Sequence, residues 1–204
     1  MLTLCASPGA CSQISIIMLE KAQVNYALRA VHLAKGEHKT TEYLSVNPKG
    51  KVPALLTDTG VITETSAILL FLHGQFQHAG ILSSQISTVE AVSDLSWFTS
   101  TIHPLITRYC KPELLGVSHD VTAVKANAEK QLLAAYRSIE ERLSTQPFWY
   151  GNSWDALDIY LFWTVNRLKR AGFSFAYADT VIQHYQRLLS DPVIKRALNK
   201  ERAL

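Results

Sequence analysis

Cys11 is the residue whose type and position promise the most chemistry. It follows the turn Ser7-Pro8-Gly9 and stands immediately before a stretch with helical periodicity, where backbone N–H groups and the helix dipole favour a thiolate. Such a terminus holds any anionic sulfur, so Cys11 or the neighbouring hydroxyl of Ser12 can contact a substrate thiolate, and Cys11 can form a mixed disulfide. The alternative is packing, because cysteine is a small apolar side chain that is often buried. Cys5, inside a strand, and Cys110, in a helical segment, read as packing residues.

Val52-Pro53 comes next. Proline at the start of a strand is tolerated where its missing N–H faces outward. A cis bond there exposes the Val52 backbone to an extended peptide, which pairs with it as an added strand; a trans edge proline is the plainer alternative. Glu64-Thr65 opens a helix, and the outward-pointing amides of such a terminus suit a carboxylate while Glu64 accepts an amine. The alternative is that Thr65 or Ser66 merely caps its own helix. Lys35, Lys39, Lys49 and Lys51 make the surrounding loops basic, which suits an acidic peptide but is equally typical of solvated loops. His103, alone before Pro104, reads as structural unless context says otherwise.

The elements that must position these residues follow from periodicity. Leu2–Leu4 is a short apolar run, Ser12 to about Ala22 has apolar residues at helical spacing with Ser12 suited to cap the first turn, and Tyr26–Leu33 reads as a second strand. A helix between two strands implies parallel pairing. Val52–Leu56 and Val61–Ile62 flank Thr57-Asp58-Thr59-Gly60, a hairpin turn, and a helix opens at about Thr65. The order is βαβ, an irregular linking segment, then ββα. Beyond Gly80 the pattern is helical: about Thr88 to Tyr109 with a kink or break at Pro104, a long helix capped by Asp120, another from Ala156 to about Arg170, then Thr180–Leu189 and Pro192–Arg202. Asp155 and Asp158 form a variant capping box for the Ala156 helix.

Composition narrows the function classes. With 48% hydrophobic residues in 204, the chain builds one or two cores, which excludes intrinsic disorder. The net charge of +3 without a polybasic run falls short of a nucleic-acid surface. Three cysteines make no disulfide scaffold, and neither CxxC nor a His pair offers metal spacing, so a reducing compartment and no metal are expected. The start MLTLCASPGACS lacks the marks of a signal peptide, and no apolar run approaches membrane-spanning length, so a soluble, cytoplasmic protein without membrane contact is expected.

Three segments together resemble the glutathione S-transferases, and specifically the bacterial beta class. Ser7-Pro8-Gly9-Ala10-Cys11-Ser12 resembles the class's SPGACS start, residues 47–55 its NPKGxVPAL segment, and Thr63-Glu64-Thr65-Ser66-Ala67-Ile68 its TE-x-x-AI helix start. The resemblance spans the chain and is strongest over 1–72. It implies a thioredoxin-like βαβ-ββα domain (1–79), a linker (80–86) and an all-helical bundle domain (87–204). It further implies that Pro53 is cis, that the Val52 backbone pairs with the cysteinyl part of glutathione, and that Glu64 and Thr65 grip its γ-glutamyl end. Lys35 and Lys51 become contacts for the carboxylates of the acidic tripeptide. Cys11 matches the class's cysteine beside the glutathione sulfur, Ser12 the adjacent hydroxyl, and His103 a histidine from the helical domain; these three are the expected catalytic residues. Two positions depart from the pattern: Asp155 replaces the usual Ser or Thr cap, and the histidine is followed by Pro104-Leu105.

The expected activity is a glutathione transferase that activates the glutathione thiol, as co-substrate, for attack on a small hydrophobic electrophile in detoxification, in a homodimer. Phe98, Ile102, Ile106 and Tyr109 are candidates for the electrophile wall, with core packing as the alternative. Two further readings compete: a monothiol disulfide oxidoreductase or peroxidase through Cys11, whose dithiol form Cys11-Ser12-Gln13-Ile14 rules out, and a non-catalytic binding protein on the same fold.

Overall fold

The computed structural model describes residues 1–115 and 120–204. They form two compact units, Met1–Ser84 with Ser190–Leu204, and Gln85–Leu189.

The first unit is built on a four-stranded sheet. Strand β1 (Leu2–Ala6), helix α1 (Ser12–Ala22) and strand β2 (Tyr26–Ala30) make the βαβ crossover, and β1 pairs with β2 in parallel, Leu2 opposite Tyr26. After the short helix α2 (Thr41–Val46), β3 (Ala54–Thr57) and β4 (Gly60–Thr63) form a hairpin, followed by α3 (Thr65–Gln75). The sheet order is β2-β1-β3-β4, with β3 antiparallel to both neighbours. Leu4, Cys5 and Ala6 of the central β1 are fully buried, as expected of a strand covered on both faces. This is the thioredoxin-like domain. Strand β2 stops at Ala30, three residues earlier than its apolar pattern suggests, and 31–39 continue as turns that carry Lys35.

The last helix does not join the helical domain expected over 87–204. Helix α9 (Pro192–Arg202) belongs to the first unit. The reason lies in α1, which buries every residue except Lys21 and therefore needs cover beyond the sheet. Ile194, Ala197 and Glu201, at helical spacing, form the buried face of α9. Glu20 on α1 receives hydrogen bonds from Tyr26 and Lys200 and ties the two helices.

The second unit is helical: α4 (Thr88–Trp97), α5 (His103–Cys110), α6 (Val121–Leu143), α7 (Ala156–Arg170) and α8 (Asp179–Ser190). Asp120 caps α6 through the N–H groups of Thr122 and Ala123. The Asp155–Asp158 capping box is present, and Asp158, fully buried, also accepts from Trp149 N–H and His184 Nε2, each at 2.7 Å. The long helix read from Thr88 to Tyr109 is divided by a π-helical turn, Phe98–Ile102, in which His103 N–H bonds to Phe98 O. Pro104 has no N–H to give the carbonyl four residues back, so the widening falls just ahead of it. Phe98, Ile102, Ile106 and Tyr109 are buried in this unit, which makes them core rather than an accessible wall.

Candidate functional site

Three chain segments meet at one end of the sheet: the loop leaving β1, the loop entering β3 and the junction from β4 to α3. Ala54 stands opposite both Cys5 and Thr63, so Pro53 and Glu64, one step further on, flank the same edge. The elements thereby bring Cys11, Val52, Pro53, Glu64 and Thr65 to one face of the first unit.

Cys11 occupies the cap position of α1, with φ −62° and ψ −12° and no side-chain cap bond. Ala10 N–H closes the preceding turn on Ser7 O, and Gly9 supplies the positive φ of 72° that the turn requires. The half-buried Cys11 thiol donates to Val52 O at 3.6 Å. Burial disfavours the thiolate of the other two cysteines. Burial pushes Cys5 up despite the Arg29 charge, and burial likewise raises Cys110 against Arg167 and Lys125.

Ser12 departs from its expected cap. It lies inside the helix at 0% exposure, its hydroxyl accepting from Ser7 N–H and donating to Ser7 O, both at 3.1 Å. A hydroxyl has one proton, and here it is committed to the loop rather than to a sulfur anion.

The Val52–Pro53 bond is cis. Two side chains to which no role was given by sequence hold the loop before it: Tyr43 OH donates to Lys51 O at 2.6 Å and Asn47 Nδ2 to the same oxygen at 2.7 Å. Asn47 Oδ1 accepts from Lys49 N–H, closing a side-chain turn within the loop. Burial raises the Tyr43 phenol to about 12, so it remains a proton donor across the physiological range.

Glu64 is the strained point. Its φ of 75° with ψ 131° is a conformation natural to glycine, costing on the order of 1–3 kcal/mol in another residue. Strain of this kind clusters at sites where the surrounding structure over-determines a backbone direction. Here it turns the chain from β4 into α3, whose first turn carries no side-chain cap, so neither Thr65 nor Ser66 closes the terminus. The free amides of such a terminus are suited to a carboxylate. The Glu64 carboxylate accepts from Lys49 Nζ at 2.8 Å, an exposed pair at 60% and 55%. Lys49 is thus the lysine that meets Glu64. Lys51 and Lys35 are exposed. Burial, and behind it the Lys39 and Lys51 charges, hold His38 below the ordinary imidazole range.

Glu201 was also without a sequence-derived role. At 6% exposure, it accepts Gly9 N–H at 2.9 Å and Gln13 Nε2, bracketing Cys11 from both sides. Its partners lie 192 and 188 residues away in the chain, so no local pattern signals the role.

In the second unit, His103 is half-buried. Its Nδ1 lies 2.7 Å from Tyr160 OH, and its ring is 4.6 Å from that of Trp163. Among the described residues, no group of three or more His, Cys, Asp or Glu side chains is arranged to hold a metal, and no helix is long and apolar enough to cross a membrane.

Two family models match the chain in order: the Glutathione S-transferase N-terminal domain over residues 9–75 and the Glutathione S-transferase C-terminal domain over residues 122–191. A curated relative, Glutathione S-transferase GstA of Escherichia coli O157:H7, is 28% identical over 95% of this chain and 96% of its own. Among solved structures, a glutathione transferase homolog from Sulfitobacter with bound glutathione superposes with TM-score 0.87 at 25% identity, covering 98% of each chain. The bacterial beta class glutathione S-transferase of Sphingomonas chungbukensis gives 0.84 at 27% identity, again over 98% of both.

Proposed function

Because the chain belongs to the glutathione S-transferase family and is an enzyme of that kind, we propose that glutathione binds along the first unit's edge with its sulfur beside Cys11. The observation that carries this placement is the Cys11 thiol at the α1 terminus, 3.6 Å from the carbonyl of Val52. The Val52 backbone pairs with the cysteinyl part as an added strand. The uncapped α3 terminus at Thr65 takes the γ-glutamyl carboxylate and Glu64 its amine, while Lys35 and Lys51 supply charge for the carboxylates.

In this reading the site lowers the pKa of the bound thiol through the α1 dipole and hydrogen bonds, then directs the thiolate at a small hydrophobic electrophile. The carbon–sulfur bond forms as the leaving group departs or the acceptor double bond opens, and the thiol proton passes to solvent. Most of the acceleration is positioning and electrostatics. His103 of the second unit is the further catalytic residue. A role in detoxification, a cytoplasmic location and a homodimer complete the proposal.

A second reading has one specific support. The committed Ser12 proton leaves Cys11 as the reactive group of the α1 terminus, which favours thiol–disulfide exchange: Cys11 thiolate attacks a glutathione mixed disulfide, expels the partner thiolate, and a second glutathione releases glutathione disulfide. The experiment is calorimetric titration with glutathione, followed by assays with electrophiles and mixed disulfides. A Cys11→Ala variant that conjugates but no longer exchanges separates the two readings, and full exchange in that variant removes Cys11 from the mechanism.

A further inference from the structure

The peptide joining Lys51 to Val52 is held from inside the first unit by two buried side chains. Tyr43, at 2% exposure on α2, and Asn47, at 1% just beyond it, donate to Lys51 O at 2.6 and 2.7 Å. A carbonyl oxygen has two lone pairs, so this one is saturated. The Val52 side chain packs in the same buried cluster as the Tyr43 ring, with Cys5, Val31 and Ala54. The segment is therefore fixed both at its carbonyl and at the side chain that follows.

We propose that Tyr43 and Asn47 are positioning residues: by gripping Lys51 O they aim Val52 N–H at the edge where glutathione docks, and so set its affinity rather than the rate of the reaction at its sulfur. The proposal rests on the reading that the Val52 backbone pairs with the cysteinyl part of glutathione. Peptide geometry carries it. The Lys51–Val52 bond is trans, and in a planar trans peptide the C=O and N–H point in opposite directions. A carbonyl turned inward to Tyr43 and Asn47 therefore turns the Val52 N–H away from them. Among the described residues, no backbone carbonyl accepts from that N–H. The Val52 carbonyl faces the Cys11 thiol at 3.6 Å.

An extended peptide that pairs with one residue of an edge uses both its N–H and its C=O. Tyr43 and Asn47 control the N–H half. A loosened Lys51–Val52 peptide has to be ordered by the ligand, at a cost in affinity. The contact is made alike in the ground and transition states, so its loss raises KM for glutathione and leaves kcat unchanged. Burial raises the Tyr43 phenol to about 12, so the grip holds across the physiological pH range.

The test is calorimetric titration of the intact protein with S-methylglutathione, whose capped sulfur excludes exchange with Cys11, together with amide NMR of the 15N-labelled protein. Tyr43→Phe keeps the ring and removes the hydroxyl. It should raise Kd by about three- to tenfold, the size of one lost hydrogen bond, with KM for glutathione rising alike and kcat constant. Asn47→Asp keeps the oxygen that accepts from Lys49 N–H but loses the donor to Lys51 O, and should weaken binding at least as much. In the wild type, the Val52 amide should exchange readily with solvent and become protected when S-methylglutathione binds, whereas in Tyr43→Phe its resonance broadens. Unchanged affinity in both variants, or a fall in kcat at constant KM, overturns the positioning role. A Val52 amide protected in the free wild type overturns its direction, and that readout stands even where a variant fails to fold. If the wild type binds no glutathione, the proposed function falls, and the Val52 resonance of Tyr43→Phe still decides the grip: a sharp, unshifted signal overturns it.

Discussion

The two units present their candidate chemistry in different materials. In the first, the site is made of backbone: two helix termini, the Val52 carbonyl and the strained Glu64 junction converge on one sheet edge, and side chains such as Ser12, Asn47, Tyr43 and Glu201 hold that backbone in place. In the second, it is made of side chains, with His103 set by Tyr160 and Trp163 on a helix altered ahead of Pro104. The first site depends on the residues that fix its loops as well as on the Cys11 thiol and the Glu64 carboxylate that it presents.

The largest effect that sharpens this contrast belongs to the second unit's frame. Asp158→Ala removes a fully buried carboxylate serving two backbone N–H groups and His184. It should cost about 3–5 kcal/mol in urea unfolding, and a loss below one kilocalorie would deny the network its structural role. Next, Cys11→Ala should lower disulfide exchange to background while leaving the fold intact by circular dichroism, because the thiol's hydrogen bond to Val52 O is weak and peripheral to the core. Glu64→Gly tests the strain: glycine accepts φ 75° freely, so thermal stability should hold or rise by about 1 kcal/mol while glutathione affinity falls. A drop in both would show that the conformation is not stored strain.

Acid provides a smaller effect. Burial pushes Glu20 up, but hydrogen bonds from Lys200 and Tyr26 and the Arg196 charge outweigh it and hold the carboxyl below its ordinary range. A folded-state pKa below the unfolded one contributes stability that is present above the unfolded value, near ~4.3, and is lost as pH falls through the folded one. Glu20→Gln should therefore flatten the stability profile below that pH, measured by thermal unfolding across an acid series. Smallest is Lys49→Ala, where an exposed pair with Glu64 is worth about 0–1 kcal/mol.

The same contrast explains what could be read from the chain. Elements whose signals are local were legible: the Asp120 cap, the Asp155–Asp158 box and the Asp191-Pro192 start of α9 all stand where their sequence placed them. The segments bearing Cys11, Val52-Pro53 and Glu64 were legible because a backbone site needs special residues at special turns. What escaped depends on contacts distant in sequence. Ser12 has the composition of a cap, but the Ser7 backbone, on the far side of the Gly9 turn, claimed its hydroxyl. Helix α9 matches the periodicity of the helical domain, yet its buried Ile194–Ala197–Glu201 face belongs to α1, and nothing local says which surface an amphipathic helix covers. Tyr160 sits 57 residues from His103 and in sequence is one more apolar member of α7's stripe. Phe98 and Tyr109 carried a pattern equally suited to a wall and a core, and burial decided for the core.

The central claim is that the edge holding Cys11, Val52 and the α3 terminus receives glutathione. Isothermal titration of the intact protein with glutathione tests it most directly. Saturable binding that weakens in Glu64→Ala is the predicted result, and no detectable heat of binding at millimolar glutathione would contradict it.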